Sequence, residues 1–196
     1  MKSGKNYFEH NFNFVPHLQH WAKQIIEKDK AHFHSRAYWD DELKDIRSVV
    51  DEELRSLGLP LLMSVHIFGR PPHNVQEIHL DNYKLRDGRL LKKQVAYNIP
   101  IVGADSDCFF EWYDGAYNGE VLVAKTNHLG EQTPMWVRKW IDEPALVERV
   151  VQDRCYFLNI SLPHRAISGS EYRAVASLRF QGNMTVDDYR EKLYVE

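Results

Sequence analysis

The segment Glu77-Ile78-His79-Leu80-Asp81-Asn82, near the middle of the chain, decides how the rest of the sequence is interpreted. In an extended strand, side chains two residues apart project from the same face. His79 and Asp81 therefore share one face, and the apolar Ile78 and Leu80 share the other. An imidazole beside a carboxylate supplies two of the three ligands of a facial metal site. A half-buried surface strand with two ordinary polar residues explains the same segment, so the metal hypothesis needs a third ligand.

The third ligand predicted for this site is His164, which follows Leu162-Pro163. It lies 83 residues after Asp81, an interval that holds several strands, so the two segments can be neighbours in a sandwich. Two imidazoles and one carboxylate on one face of an octahedral ion leave open positions, an arrangement that suits non-haem Fe(II) enzymes. Structural zinc favours closed tetrahedral sites with thiolates, and calcium favours more oxygen ligands, so both fit less well.

Composition limits the class of protein. The 196 residues suit one domain, and the hydrophobic (43%) and charged (27%) fractions are ordinary for a globular protein. A net charge of −3 gives no electrostatic reason to expect nucleic-acid binding. The two cysteines, Cys108 and Cys155, are too few for a disulfide scaffold and fit a reducing compartment. Because no apolar run is long enough to cross a membrane and the start is unlike a secretory signal, we expect a cytoplasmic protein.

Both ends of the chain are predicted to be helical. One helix is expected from Pro16 to about Lys30, after a short edge strand in the alternating segment Asn11–Phe14. A second has an apolar stripe from Leu43 to Leu57, with Asp40 or Asp41 as its cap and Gly58 at its end. A last helix, Val186 to Tyr194, is predicted from a capping box formed by Thr185 and Asp188.

Between Leu59 and Gly182 the hydrophobic pattern changes to the period of strands. Closely spaced strands separated by turn signals indicate an antiparallel sandwich or barrel. The segment from Thr126 to Val147 is less regular and is predicted to be a loop that covers a pocket. We expect one domain: an N-terminal helical region (1–58), a β core (59–182) and a C-terminal helix (183–196). The predicted strands are Leu61–Phe68 (broken by Gly69-Arg70-Pro71-Pro72), the segment around His79, Gln94–Val102, Cys108–Tyr113, Val121–Ala124, Cys155–Ser161 and Tyr172–Phe180.

The last predicted strand has one strongly polar face. Arg173, Val175, Ser177 and Arg179 share this face, while Ala174, Ala176, Leu178 and Phe180 share the other. Two arginines and a serine beside a metal would make an anion site, because the planar guanidinium binds a carboxylate through two parallel hydrogen bonds. The alternative is that both arginines face solvent on the outside of the sheet.

The combined pattern resembles the iron- and 2-oxoglutarate-dependent dioxygenases, in particular small microbial and phage members of that superfamily. The resemblance covers about Leu59 to Gly182. It is carried by His79-x-Asp81, His164, Arg173 nine positions later, and the segments Tyr97-Asn98-Ile99-Pro100-Ile101, Phe110-Glu111-Trp112-Tyr113 and Ser177-Leu178-Arg179-Phe180.

The resemblance implies a double-stranded β-helix, a cupin-like jelly-roll, with the N-terminal helices packed on a sheet and a short C-terminal helix. It implies that His79, Asp81 and His164 hold Fe(II). It further implies that 2-oxoglutarate chelates the iron beside dioxygen, and that its oxidative decarboxylation to succinate and CO2 drives hydroxylation of a C–H bond. The residues it assigns to 2-oxoglutarate are Arg173, with Arg179 as a second candidate for the distal carboxylate, and Ser177 and Asn98.

Several points stay open from the sequence. Tyr97, Asn98 and Trp112 are candidates for the pocket lining, whereas the histidines at 32, 34, 66, 73 and 128 are interpreted as bystanders. Two other functions compete with the dioxygenase: a non-catalytic jelly-roll binding module, and a cupin-type metalloenzyme that does not use 2-oxoglutarate. The expected substrate is a small molecule, an amino acid or a peptide. We expect neither nucleic acid nor a membrane as partner, and the sequence does not indicate an oligomeric state.

Overall fold

The computed structural model describes residues 2–28, 35–84, 90–92, 94–104, 106–126 and 132–194. The chain is mostly β, with antiparallel sheets and with helices toward both ends. The helices are α1 (Val15–Lys28), α2 (Lys44–Ser56) and α3 (Val186–Tyr194). The strands, in chain order, are β1 (Tyr7–Glu9), β2 (Ser35–Tyr38), β3 (Leu62–Arg70), β4 (Asn82–Lys84), β5 (Leu90–Lys92), β6 (Val95–Val102), β7 (Phe109–Asp114), β8 (Tyr117–Thr126), β9 (Gln132–Trp140), β10 (Ala145–Val151), β11 (Tyr156–Asn159), β12 (His164–Ile167) and β13 (Arg173–Phe180).

Two sheets form the core. The large sheet has the order β1-β11-β6-β13-β3-β2, and the small sheet has the order β10-β7-β12. Isolated bridges from Val75 to Ile167 and from His79 to His164 place residues 75–81, called the His79 segment below, beside β12. From β3 onward, the strands of these two sheets and the His79 segment therefore alternate between the sheets along the chain, except that β7 and β10 both belong to the small sheet. This is the connectivity of a double-stranded β-helix, and the predicted fold class is confirmed.

The two faces of the large sheet contact two different apolar cores. On β13, Ala174, Ala176, Leu178 and Phe180 belong to the larger apolar core, which also includes buried residues of all three helices. A smaller core between the sheets contains Phe110, Trp112 and Tyr156 among its members. Because successive side chains of a strand point to opposite faces, Arg173, Val175, Ser177 and Arg179 face the interior between the sheets. The alternation predicted for this strand is confirmed.

The N-terminal predictions need two corrections. The edge strand lies at Tyr7–Glu9, where it pairs with β11, and not at Asn11–Phe14. Phe12 and Phe14 are instead buried in the larger core, where their rings stack at 4.7 Å. The start of α2 has Leu43 at its N-cap, with no side-chain capping hydrogen bond. Asp40, one of the two predicted caps, instead forms an ion pair with Arg47.

Two predicted helix boundaries, the C-terminal end of α2 and the start of α3, are found as expected. Gly58 follows α2 with a φ of +63°, and the Gly58 and Leu59 amides return to the carbonyls of Arg55 and Leu54. At α3, the Thr185 amide and hydroxyl donate to Asp188 Oδ2 at 2.7 and 2.8 Å, and the Asp188 amide returns a 3.2 Å bond. The predicted capping box is confirmed. The structure places Cys108 and Cys155 as buried free thiols.

The prediction for Thr126 to Val147 was wrong, because most of this segment that the structure describes is strand. β8 and β9 form a long two-stranded hairpin, and β10 joins the small sheet. Pro134 made the segment look irregular, but it lies opposite Ala124 in a two-stranded ladder, where proline is tolerated on an edge. The break predicted after Phe68 was also misplaced: β3 continues through Gly69 and Arg70, which pair with Ala174 and Arg173.

No helix in the described ranges has both the length and the apolar character needed to span a membrane.

Gly103 provides a test of how the end of β6 supports the start of β13. Its φ is +60°, and a Cβ there would lie 2.0 Å from the Tyr172 carbonyl oxygen and 3.3 Å from Arg173 Cα. Gly182 has a similar φ of +70° but no heavy atom within 4 Å of the same position. We expect Gly182→Ala to lower the free energy of unfolding by about 1–2 kcal/mol through left-handed strain alone. Gly103→Ala should lower it by clearly more, because a backbone oxygen must move.

Equilibrium urea unfolding of the two variants measures this difference. Equal losses for Gly103→Ala and Gly182→Ala would show that the contact with Tyr172 does not constrain this junction.

Candidate functional site

The His79 segment is held from both sides by backbone hydrogen bonds. His79 and His164 exchange N–H to O bonds of 2.9 Å each, and the Leu80 amide donates to the Trp136 carbonyl at 2.8 Å. Residues directly opposite in an antiparallel pair carry their side chains on the same face. The two imidazoles accordingly lie side by side, with ring centroids 4.6 Å apart. Backbone pairing thus brings together two residues that are far apart in the sequence.

Asp81 completes a compact cluster with the two histidines. Its Oδ1 lies 3.3 Å from His79 Nε2 and 3.6 Å from His164 Nε2. One ligand atom from each residue falls within 4.8 Å of the others, and both imidazoles are buried. This separation and this donor set, two nitrogens and one carboxylate oxygen, are suitable for a facial metal site. The structure therefore brings together all three residues that the sequence predicted as metal ligands.

Hydrogen bonds fix the imidazoles in the form that binds a metal. His79 Nδ1 lies 2.8 Å from the Glu77 carbonyl, and His164 Nδ1 lies 2.8 Å from the Leu162 carbonyl. Because a carbonyl oxygen can only accept, each Nδ1 carries the proton and each Nε2 presents a lone pair. Burial lowers the pKa of His164, which favours the neutral ring that a metal requires.

Arg179 binds the other oxygen of Asp81. Its guanidinium donates to Asp81 Oδ2 at 2.7 Å and to Ser177 Oγ at 2.5 Å, and the Ser177 hydroxyl in turn donates to Asn98 Oδ1. Burial alone would raise the pKa of Asp81, but its close polar contacts with the two imidazoles and the charge of the Arg179 guanidinium lower that pKa well below the usual value. The carboxylate is therefore ionised and held through Oδ2, which leaves Oδ1 to face the two imidazoles.

A cavity with about 460 Å³ of empty space, including its open mouth, adjoins this cluster. Asn98, Arg173, Ser177 and Arg179, the four residues that the sequence assigned to 2-oxoglutarate, all line it. Arg173 is buried and donates a hydrogen bond to Gln152 Oε1. Arg173 and Arg179 lie at opposite ends of β13, with Arg179 on the Asp81 side, so the two arginines occupy different surroundings. The two arginines that the sequence left as alternatives thus have different partners, Gln152 for Arg173 and Asp81 for Arg179.

Three polar residues of the cavity were missed by sequence reasoning. Arg70, Gln76 and Gln152 all line the cavity, and Gln76 Nε2 lies 3.2 Å from His79 Nε2. Arg70 was not predicted as a cavity residue because Gly69 and Pro71 beside it suggested a turn. The register between β3 and β13 would have revealed it, but a single sequence does not contain that register.

The other residues considered from the sequence lie elsewhere. Tyr97 and Trp112 are buried in the larger and the smaller apolar core, respectively, and neither is part of the described cavity lining. His66, on β3, lies opposite Ser177 of β13. Burial lowers the pKa of His66 to about 3 and keeps its ring neutral. His73 is exposed, with a φ of 55°. The histidines at 32, 34 and 128 lie outside the described residues.

Comparison with known proteins gives only distant matches. No protein-family model matches the chain, and a comparison with curated proteins finds no match. Among solved structures, the chain is similar to HygX from Streptomyces hygroscopicus with nickel and 2-oxoglutarate bound, at 14% identity over 88% of this chain and 80% of that one, with a TM-score of 0.45.

Two viral and bacterial hydroxylases give similar values. The viral collagen prolyl hydroxylase vCPH of Paramecium Bursaria Chlorella virus-1, in its 2OG complex, matches at 11% identity over 89% of this chain and 94% of that one, with a TM-score of 0.42. A Pseudomonas putida prolyl-4-hydroxylase matches at 14% identity over 90% of this chain and 94% of that one, with a TM-score of 0.41. These identities and TM-scores are low, so the function proposed below rests on the geometry of the site itself.

The contact between Arg179 and Asp81 yields a prediction about metal affinity. We expect the metal-free protein to bind one Mn²⁺ ion per chain, and Arg179→Met to weaken that binding by about 10–100-fold, the usual effect of removing a partner of a metal ligand. Without the guanidinium, Asp81 Oδ2 loses its donor and the carboxylate can rotate. Isothermal titration calorimetry measures the affinity. The matched control is Arg154→Met, which removes an exposed arginine that pairs with Glu9.

An Arg179→Met protein that is folded and binds Mn²⁺ as tightly as Arg154→Met would contradict this role for Arg179.

Proposed function

We propose that the protein is an Fe(II)- and 2-oxoglutarate-dependent dioxygenase that hydroxylates a C–H bond of a small-molecule, amino-acid or peptide substrate. The observation that carries this proposal is the convergence of His79 Nε2, Asp81 Oδ1 and His164 Nε2 in a cavity that is also lined by arginines. A facial set of two imidazoles and one carboxylate leaves three positions of an octahedral ion for other ligands. Dioxygenases of this kind need those positions for the co-substrate and for dioxygen.

The donor set fits Fe(II) better than a closed structural ion. Both imidazoles present Nε2 lone pairs and Asp81 presents one oxygen, and neither of the two cysteines is among the lining residues of the described cavity. In this proposal His79, Asp81 and His164 hold the iron. When bound, the iron would supply the activation of dioxygen and the decarboxylation of 2-oxoglutarate to succinate and CO2.

The remaining residues of the cavity bind and orient. Arg173 is a buried cation that suits the distal carboxylate of 2-oxoglutarate, since guanidinium and carboxylate form paired charge-assisted hydrogen bonds. Phe68, Phe110 and Val175 line the same cavity with apolar surface, which helps to exclude water from the reacting groups. Arg179 keeps Asp81 ionised and oriented, as its 2.7 Å hydrogen bond to Oδ2 indicates.

The proposal predicts a slow turnover of 2-oxoglutarate without any added substrate. Succinate should form only when Fe(II), 2-oxoglutarate and dioxygen are all present. His79→Ala should abolish its formation by removing a ligand, and Arg173→Met should raise the 2-oxoglutarate concentration needed by about tenfold or more, as expected for loss of a charged hydrogen-bond partner. Quantitation of succinate by mass spectrometry provides the measurement, with His17→Ala, an exposed histidine of α1, as control.

Two results would favour the competing functions. Protein that binds neither Fe(II) nor 2-oxoglutarate under anaerobic conditions would point to a binding module. Iron-dependent chemistry that ignores 2-oxoglutarate and survives Arg173→Met would point to a cupin-type metalloenzyme.

A further inference from the structure

Strand β9 lies next to the His79 segment, on the side away from β12. The bridge between Leu80 and Trp136 is antiparallel, and the Leu80 amide donates to the Trp136 carbonyl at 2.8 Å. Successive amides of a strand point to opposite edges, so the His79 segment pairs with β12 on one edge and with β9 on the other. β4, which follows this segment directly, also lies against β9. The β8–β9 hairpin therefore extends the side of the sandwich that carries His79.

The residues of β9 on either side of Trp136 face the candidate metal ligands. Continuing the antiparallel pairing by one residue in each direction from the bridge places Met135 opposite Asp81 and Val137 opposite His79. Directly opposed residues carry their side chains on the same face, with Cβ atoms about 4.5–5.5 Å apart. Both β9 side chains therefore lie on the face that carries the imidazole and the carboxylate.

Strand β8 adds two more aliphatic side chains to the same face. Its register with β9 pairs Val121 with Val137 and Val123 with Met135. These four residues, called the aliphatic wall below, are all half-buried. None of them is a member of either apolar core formed by the described residues. Lys139, the next residue of β9 on this face, is exposed. The wall is thus an aliphatic surface beside the candidate metal ligands that neither core covers.

The opposite face of the same hairpin has a different character. Arg138 lies over the Tyr117 ring, 4.1 Å from its centroid, and its Nε is 3.4 Å from Glu120 Oε1. The Trp140 ring is 5.8 Å from the same guanidinium. Leu122 also lies on this face and is 44% exposed. The hairpin therefore separates an aromatic and charged face from the aliphatic wall, residue by residue along each strand.

The arginines of the cavity come from the other sheet. Arg70, Arg173 and Arg179 belong to β3 and β13 of the large sheet, whereas the wall contributes no charged side chain. A charged or strongly polar group placed against the wall would lose water without gaining a partner, which is unfavourable. An apolar group placed there removes apolar area from water on both sides of the contact, which is favourable. The surroundings of the candidate metal ligands are thus cationic on one side and aliphatic on the other.

We propose that the substrate presents an uncharged aliphatic group beside the candidate metal ligands, and that this group packs on the aliphatic wall. This inference rests on the proposed function and names its substrate class: a molecule whose reacting C–H bond lies in an aliphatic side chain or an alkyl chain. The branched valines are stiff and give the wall a fixed shape, while the flexible thioether of Met135 adapts to the group that it contacts.

The experiment compares two neutral probes that share one backbone. N-acetyl-L-leucinamide carries an aliphatic side chain, and N-acetyl-L-glutaminamide carries a polar one of similar size. Mn²⁺ accelerates the NMR relaxation of nearby protons, so titration of each probe into the Mn²⁺-loaded protein with 2-oxoglutarate measures its affinity for this site. The protein loaded with Zn²⁺, which is not paramagnetic, gives the background. We expect the leucine probe to bind about fivefold more tightly than the glutamine probe, or better, because the wall cannot satisfy an amide.

Substitutions on opposite faces of the hairpin separate the wall from the hairpin as a whole. Met135→Gln keeps the side-chain length but adds an amide to the wall, and it should weaken the leucine probe by about fivefold or more. Val137→Thr, which is nearly isosteric, should act in the same direction and serves if Met135→Gln does not fold. Leu122→Gln adds the same amide to the opposite face and should leave the affinity unchanged. All three variants should still bind Mn²⁺ and 2-oxoglutarate, because none removes a metal ligand or a cavity arginine.

Each outcome decides the question. If the Mn²⁺-loaded protein binds 2-oxoglutarate but relaxes the two probes equally, or relaxes neither, the inference is overturned and the proposed function stands. If folded Met135→Gln or Val137→Thr binds the leucine probe as Leu122→Gln does, the wall is not the surface that the substrate contacts. If calorimetry shows that the Mn²⁺-loaded wild-type protein does not bind 2-oxoglutarate, the proposed function fails and the inference fails with it.

Discussion

The reciprocal pair of backbone hydrogen bonds between His79 and His164 is the interaction on which the site depends. Each bond is 2.9 Å, and together they fix two distant segments in register. A slip of one residue would turn one imidazole to the opposite face and separate the ligand atoms. The Leu80 amide reinforces this register through Trp136, so the β8–β9 hairpin supports the His79 segment even though the hairpin lies outside the two main sheets.

The charges of the cavity are arranged at two positions along β13. Near its C-terminal end, Arg179 is paired with Asp81 and connected through Ser177 to Asn98. Breaking a buried pair by removing one partner is costly, since it leaves an uncompensated charge. Near its N-terminal end, Arg173 lies opposite Arg70 of β3 and donates a hydrogen bond to Gln152 Oε1. One strand therefore carries an arginine that contacts Asp81 near one end and an arginine that contacts Gln152 near the other.

Much of this arrangement could be predicted from the sequence, because it depends on periodicity. The alternation from Arg173 to Phe180 identified the cavity face, and the His79–Asp81 spacing identified a shared face of the His79 segment. What could not be predicted depends on the register between strands. Arg70 became visible only when β3 was seen to continue past Gly69 to pair with β13. Likewise, Arg173 and Arg179 are equivalent in periodicity, and only the position of Asp81 beside one of them separates their roles.

The central claim is that Asp81 offers one oxygen to iron while Arg179 holds the other. An anaerobic crystal structure with Fe(II) and 2-oxoglutarate tests it most directly. We predict one iron bound by His79 Nε2, Asp81 Oδ1 and His164 Nε2, with Arg179 still on Asp81 Oδ2 and the co-substrate chelating the open positions. Iron bound elsewhere, or an Asp81 that binds iron through both oxygens with Arg179 displaced, would contradict the claim.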